Sequence, residues 1–195
     1  MTAQISDGFI FNGEDFSLTG FTDKIPFYPG DYEITPKGVS SACWRGFYRI
    51  FSIVNNELVL KKFNVNDANI EKDISGPKIN GVKPNLNTKG RSFFNKSYEN
   101  VDLKIVYTGS ILIGKGFIRD LYVHMGFHPA WKFKKVFELT FDKGNLIETI
   151  DLSEKMVEVR KEVKKKKTIK NNEIEVNEIA KWIKESFNQK YIKRL

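Results

Sequence analysis

Residues 47 to 65, Phe47-Tyr-Arg-Ile-Phe-Ser-Ile-Val-Asn-Asn-Glu-Leu-Val-Leu-Lys-Lys-Phe-Asn-Val65, decide the fold. From Phe47 to Val54 the chain is apolar on both faces, interrupted by Arg49 and Ser52, as in a central strand buried on both sides. Asn55-Asn56 supplies a turn, and Leu58 to Val65 returns. One such hairpin requires others, because an isolated pair of strands cannot bury its own faces.

Working outward, the same layout recurs. Phe133, Phe137, Leu139 and Phe141 share one face opposite Lys134, Glu138 and Thr140. Asp142 to Asn145 turns the chain and Leu146 to Ile150 returns. Near the N-terminus, Phe9-Ile10-Phe11 leads into Asn12-Gly13, followed by Phe16 and Leu18. Val101, Leu103, Ile105 and Tyr107 alternate with Asp102, Lys104 and Val106, and Thr108-Gly109-Ser110 is read as a turn into Ile111 to Ile113. Two stretches lack this order. Pro26, Pro29, Gly30, Pro36 and Gly38 punctuate a loop around Tyr32 and Ile34. Residues 66–100, rich in Asn, Gly, Lys and Pro, form a connection long enough to be functional or mobile.

The expected fold is therefore mainly β within the α+β class, a curved antiparallel sheet or β-barrel built of hairpins over residues 1–152. A change of character follows. Asp151 and Glu154 have capping-box spacing, and Leu152, Met156, Val159 and Val163 fall at helical intervals. Val176, Ile179, Ala180, Ile183, Phe187 and Tyr191 form a second apolar stripe. Residues 153–195 are thus expected to form one or two amphipathic helices packed on the sheet or extending from it.

Composition narrows the class. The 195 residues include 32 Lys+Arg and 24 Asp+Glu, for a net charge of +8. Of these, 13 basic and 7 acidic residues fall in Ser153–Leu195, which leaves the first 152 nearly balanced. A basic tail is most simply a solvated face, although it leaves a nucleic-acid-associated role as a lesser alternative. One cysteine excludes an intrachain disulfide and a cysteine-rich zinc site. No apolar run is long enough to span a bilayer and the first residues lack a signal-peptide pattern, so a soluble cytoplasmic protein without membrane contact is expected.

Three motifs bear on chemistry. Gly109 to Lys115 satisfies GxxxxGK, but Gly116 stands where a magnesium-binding hydroxyl belongs and the interior is β-forming, so nucleotide binding is rejected. His124 and His128, both histidines of the chain, lie four apart between Tyr122 and Trp131. That spacing puts them on one face and could hold a metal, with Cys43 or Asp120 as a further ligand, or support a histidine-dependent enzyme. The simpler reading is two polar side chains in an aromatic loop. Cys43 could serve as a nucleophile beside a histidine, but a lone cysteine is commonly a small buried hydrophobe. Arg45, ahead of the buried hairpin, requires an acidic or carbonyl partner if it faces inward.

Together, Trp44, Arg45, His124, Phe127, His128, Trp131 and Lys132 would form a mixed aromatic and basic mouth if they met at one end of a barrel. The resulting expectation is a non-catalytic binding or interaction protein that takes a small molecule or a protein partner and needs no cofactor. The histidine- or metal-dependent enzyme is the alternative.

Overall fold

The computed structural model describes residues 2–25, 27–69, 76–87, 92–169 and 189–190. Within them the chain forms ten strands and a helix. Strands β1 (Gly8–Phe11) and β2 (Glu14–Phe21) pair as a hairpin, as do β3 (Phe47–Val54) with β4 (Glu57–Val65), and β9 (Phe133–Asp142) with β10 (Asn145–Asp151). The sequence explains why each loop is so short. Asn12-Gly13, Asn55-Asn56 and Lys143-Gly144 all have positive φ at both positions, the backbone that matches a two-residue turn to strand twist.

The sheet closes on itself. The path runs β10-β9-β8-β2-β1-β3-β4, with β8 spanning Gly109–Phe117, and β10 returns to β4 where Asn145 faces Glu57. A ring of seven strands cannot be antiparallel at every contact, because direction would have to alternate around an odd number. The exception is β1 beside β3, which run parallel with Phe9 opposite Phe51. Three of the expected hairpins are thus present in a curved, mainly β sheet, with a single parallel contact between β1 and β3.

A second difference concerns residues 101–117. No hairpin forms across Thr108-Gly109-Ser110. Only Leu103–Lys104 (β7) is extended in a ladder there, and it lies on β4, whereas β8 begins at Gly109 itself and pairs with β2 and β9. Asn100 and Asp102 have positive φ and break the strand, while Val101, Ile105 and Tyr107 still bury their side chains. The alternation reported burial correctly, but not pairing. The GxxxxGK stretch is this β8 strand. A Cβ at Gly114 would lie 2.7 Å from Phe133 Cγ, so glycine there permits close packing of the aromatic ring.

Side chains fill the ring. Phe9, Leu18, Phe51, Leu58, Leu60, Phe63, Ile111, Ile113 and Leu139 have no solvent exposure. The interior is therefore a packed core, and chemistry must be sought at its ends.

The long connection is tied down through one buried ion pair. Lys96, in β6 (Lys96–Tyr98), donates from Nζ to Asp67 Oδ2 at 2.8 Å, and both side chains are 1% exposed. Asp67 Oδ1 accepts from the amides of Thr35 and Asn69, and Asn95 brackets the Asp67 backbone with two further bonds. The short strand β5 (Asn85–Leu86) pairs with β6, and Ile79 enters the core. Burial opposes the charge on Asp67, but the Lys96 bond and the two amides prevail and hold its carboxyl below the usual range.

Helix α1 (Ser153–Ile169) follows β10 directly. Asp151 caps it by accepting from the Ser153 amide at 2.8 Å. Leu152 and Met156 pack on a small second core of Ala130, Phe133 and Val136, and Arg160 Nη1 donates to the carbonyls of Trp131 and Phe133. The stripe expected over 176–191 lies outside the described residues, except for Gln189 and Lys190. Gln189 is buried on β2, donating to the Leu18 carbonyl and accepting from the Phe21 amide. No helix among the described residues is long and apolar enough to cross a membrane.

Candidate functional site

One end of the ring is organised by an acid that the sequence reading did not single out. Asp7 precedes β1 and its side chain has no exposure. Its Oδ1 accepts from Arg45 Nη2 at 2.7 Å and from the Arg49 amide at 2.9 Å. Its Oδ2 accepts from Arg45 Nη1 at 3.0 Å, Arg49 Nε at 3.0 Å and Arg49 Nη2 at 2.7 Å. Burial alone would raise this carboxyl. The fields of Arg49 and Arg45 and the Arg49 hydrogen bonds overcome that and hold it below the normal aspartate range.

Local structure explains how the three groups meet. Arg49 sits on the inward face of β3 between Phe47 and Phe51, with its guanidinium 5.4 and 5.2 Å from their ring centres. Arg45 comes from the loop before β3. Gly46 turns that loop back with φ +72°, and a Cβ there would clash with the Lys37 carbonyl oxygen, so only glycine fits. Arg45 then donates from Nε to the Phe47 carbonyl and from Nη2 to the Ile5 carbonyl. The partner required of an inward-facing arginine is therefore Asp7, together with these two carbonyls.

The aromatic loop reaches the same place. The Phe127 ring lies 5.7 Å from the Arg45 guanidinium. The segment Ala3–Ile5 runs between the two loops, with Gln4 N donating to the Gly126 carbonyl and Ile5 N to the Ala42 carbonyl. Trp44 is 51% exposed and its amide donates to Gln4 Oε1. Arg45, Phe127 and the Trp44 backbone are thus joined through one N-terminal segment.

The remaining expected residues form an adjoining cluster. The ring centre of Tyr122 is 4.8 Å from that of His124 and 5.2 Å from that of His128, and Phe117 lies 4.6 Å from His128. His124 is exposed, whereas His128 is half-buried. Lys132 is buried, with Nζ 3.3 Å from His128 Nδ1 and 5.4 Å from the Trp131 ring. An ammonium can only donate, so the proton of a neutral His128 belongs on Nε2. That nitrogen is buried without a hydrogen-bond partner. Burial and the neighbouring Lys132 charge push the His128 pKa down to about 4, so the ring is neutral at pH 7.

This arrangement bears on each reactive candidate. Among the described residues no three His, Cys, Asp or Glu side chains are grouped to hold a metal, so Cys43 and Asp120 are not assembled with the histidine pair. Cys43 is buried, its Sγ is 3.5 Å from the Phe47 carbonyl oxygen, and burial pushes the thiol pKa up against the opposing pull of Arg45. A thiol so placed is a packing group rather than an activated nucleophile.

Asp7 and Arg49 were the residues missed. Their signals were present: an arginine inside an otherwise apolar strand, and an aspartate immediately before the first apolar run. Comparison with known protein families, with curated proteins and with solved structures gave no match to this chain.

Proposed function

We propose that this protein is a non-catalytic binding module that recognises its ligand at the end of the ring formed by Trp44, Arg45 and Phe127. The observation that carries this reading is the contact of Phe127 with an Arg45 held by Asp7. It unites three distant stretches of chain in one aromatic and basic surface, supported from beneath by a buried ion cluster. A rigid, partly polar aromatic surface is what recognition requires, because little side-chain entropy remains to be lost on binding. Its neighbours fit the same role: the Cys43 thiol is held protonated and His128 is packed between rings, which suits support of a surface better than proton transfer.

The test starts from native mass spectrometry of full-length protein purified gently at low salt, to identify a small molecule or protein that copurifies in fixed stoichiometry. Affinity for that species is then measured in solution. Combined Trp44→Ala and Phe127→Ala substitution is expected to weaken it at least about tenfold, with folding unchanged by circular dichroism. His124→Ala is expected to leave it within about twofold. Unchanged affinity in the double variant would sink the proposal, and turnover of the copurifying species abolished by His124→Ala would replace it with the enzyme reading.

A further inference from the structure

The ion cluster is unequal. Two guanidiniums face one carboxylate, and no other carboxylate among the described residues forms a salt bridge with either of them. Asp7 is already saturated, with five donors on two oxygens. The surplus positive charge sits where water is scarce, since Arg45 is 21% exposed and Arg49 only 11%. It is also flanked by aromatic rings that cannot neutralise it.

The donors show where the surplus emerges. All three Arg45 nitrogens donate, to Phe47, Asp7 and Ile5. Arg49 donates from Nε and Nη2, but its Nη1 donates to nothing among the described residues. Among the described residues the buried side-chain nitrogen or oxygen without a partner is His128 Nε2, outside this cluster, so the undonated Arg49 Nη1 is not fully buried and retains contact with solvent. A partly desolvated guanidinium with an open N–H edge favours an anionic oxygen over water, because charge-assisted bonds strengthen as the surroundings dry out.

We infer that Arg49 Nη1, backed by Arg45, is an oxyanion subsite, and that the ligand of the Trp44–Phe127 surface presents a carboxylate or phosphate group to it. This rests on the binding reading above and adds the chemical class of the ligand. The subsite is preorganised, because Asp7 fixes both guanidiniums before the ligand arrives. The Nε–Nη2 edge that would grip a carboxylate with two prongs is already taken by Asp7, so the ligand is met through Nη1 alone.

The probes are sodium acetate and inorganic phosphate, titrated at constant ionic strength into full-length protein carrying isotope-labelled arginine and observed through the guanidinium nitrogen signals by NMR. The expected result is a saturable shift at Arg49, smaller at Arg45 and absent at Arg119 and Arg160. Whichever probe saturates at lower concentration distinguishes a carboxylate from a phosphate ligand. Arg49→Lys keeps the charge beside Asp7 but removes Nη1, and is expected to weaken the response read at Arg45 by about tenfold. Shifts that are linear, absent or equal at all arginines would overturn the subsite, and need no variant to be informative. If the wild-type response is absent, the aromatic surface still stands or falls by its own double variant. If the Arg49 response survives Trp44→Ala with Phe127→Ala while ligand affinity does not change, the subsite stands and the aromatic surface falls.

Discussion

Asp7 shows how much one side chain can carry. Removing its charge leaves two guanidiniums crowded at the end of a packed core with no counterion. Breaking a buried pair from one side costs about 3–5 kcal/mol. Asp7→Asn is therefore expected to lower the unfolding free energy by about that amount, read as a reduced urea midpoint with an unchanged slope. His128 makes the opposite point. Its Nε2–H is buried without an acceptor, and its pKa is about 4 when folded against 6.5 as an ordinary histidine. The unfolded chain binds the proton more readily, so stability is complete above pH 6.5 and falls as the pH drops towards 4. The depressed Asp7 carboxyl acts lower, its contribution being lost only as the pH falls below the ordinary aspartate value of 3.8. Denaturation curves between pH 7 and 4 should show the first loss, and His128→Phe should flatten it. A slope unchanged in that variant would contradict the assignment.

Among the elements, the connection over 66–100 is held in its described parts by a feature no pattern announces. Lys96 and Asp67 look like any surface charges in the sequence, and only the fold brings them together out of water. Lys96→Met is expected to cost about 3–5 kcal/mol and to speed hydrogen exchange at the Thr35 and Asn69 amides, which Asp67 would no longer hold. Fast exchange there with unchanged global stability would mean that the pair orders the loop without supporting the body. The docking of α1 is a lesser matter. Arg160→Ala removes two charge-assisted bonds to the carbonyls of Trp131 and Phe133 and is expected to cost about 1.5–3 kcal/mol, visible as a lower thermal midpoint. Helix α1 and three of the hairpins were legible because their causes are local: Asn12-Gly13, Asn55-Asn56 and the Leu152–Met156 spacing act within a few residues. The fate of 101–117 was not, because the choice of β4 over β8 as partner for Leu103 depends on contacts distant in the chain.

For the molecule as a whole, the mainly β, curved architecture followed from alternation and turns, but ring closure did not. It depends on Asn145 meeting Glu57, a contact across the entire second half of the sheet. The site was legible to the same partial degree. Arg45 and Phe127 were read from their local motifs and meet in space, while Asp7 and Arg49 left signals in the sequence whose pairing only the parallel neighbours β1 and β3 explain. That parallel pair has a consequence in time. A hairpin can zip from its turn, but β1 and β3 point the same way, so the segment between β2 and β3 must first carry the chain back across the end of the sheet. The ring then waits for its last strand to find β4. Such an order of events has no local shortcut, and folding should be limited by these two long-range encounters, with refolding in milliseconds to seconds rather than microseconds. Joining the termini and reopening the chain within the 66–100 connection would change which encounter comes first, and stopped-flow refolding of that permuted chain would time the two separately.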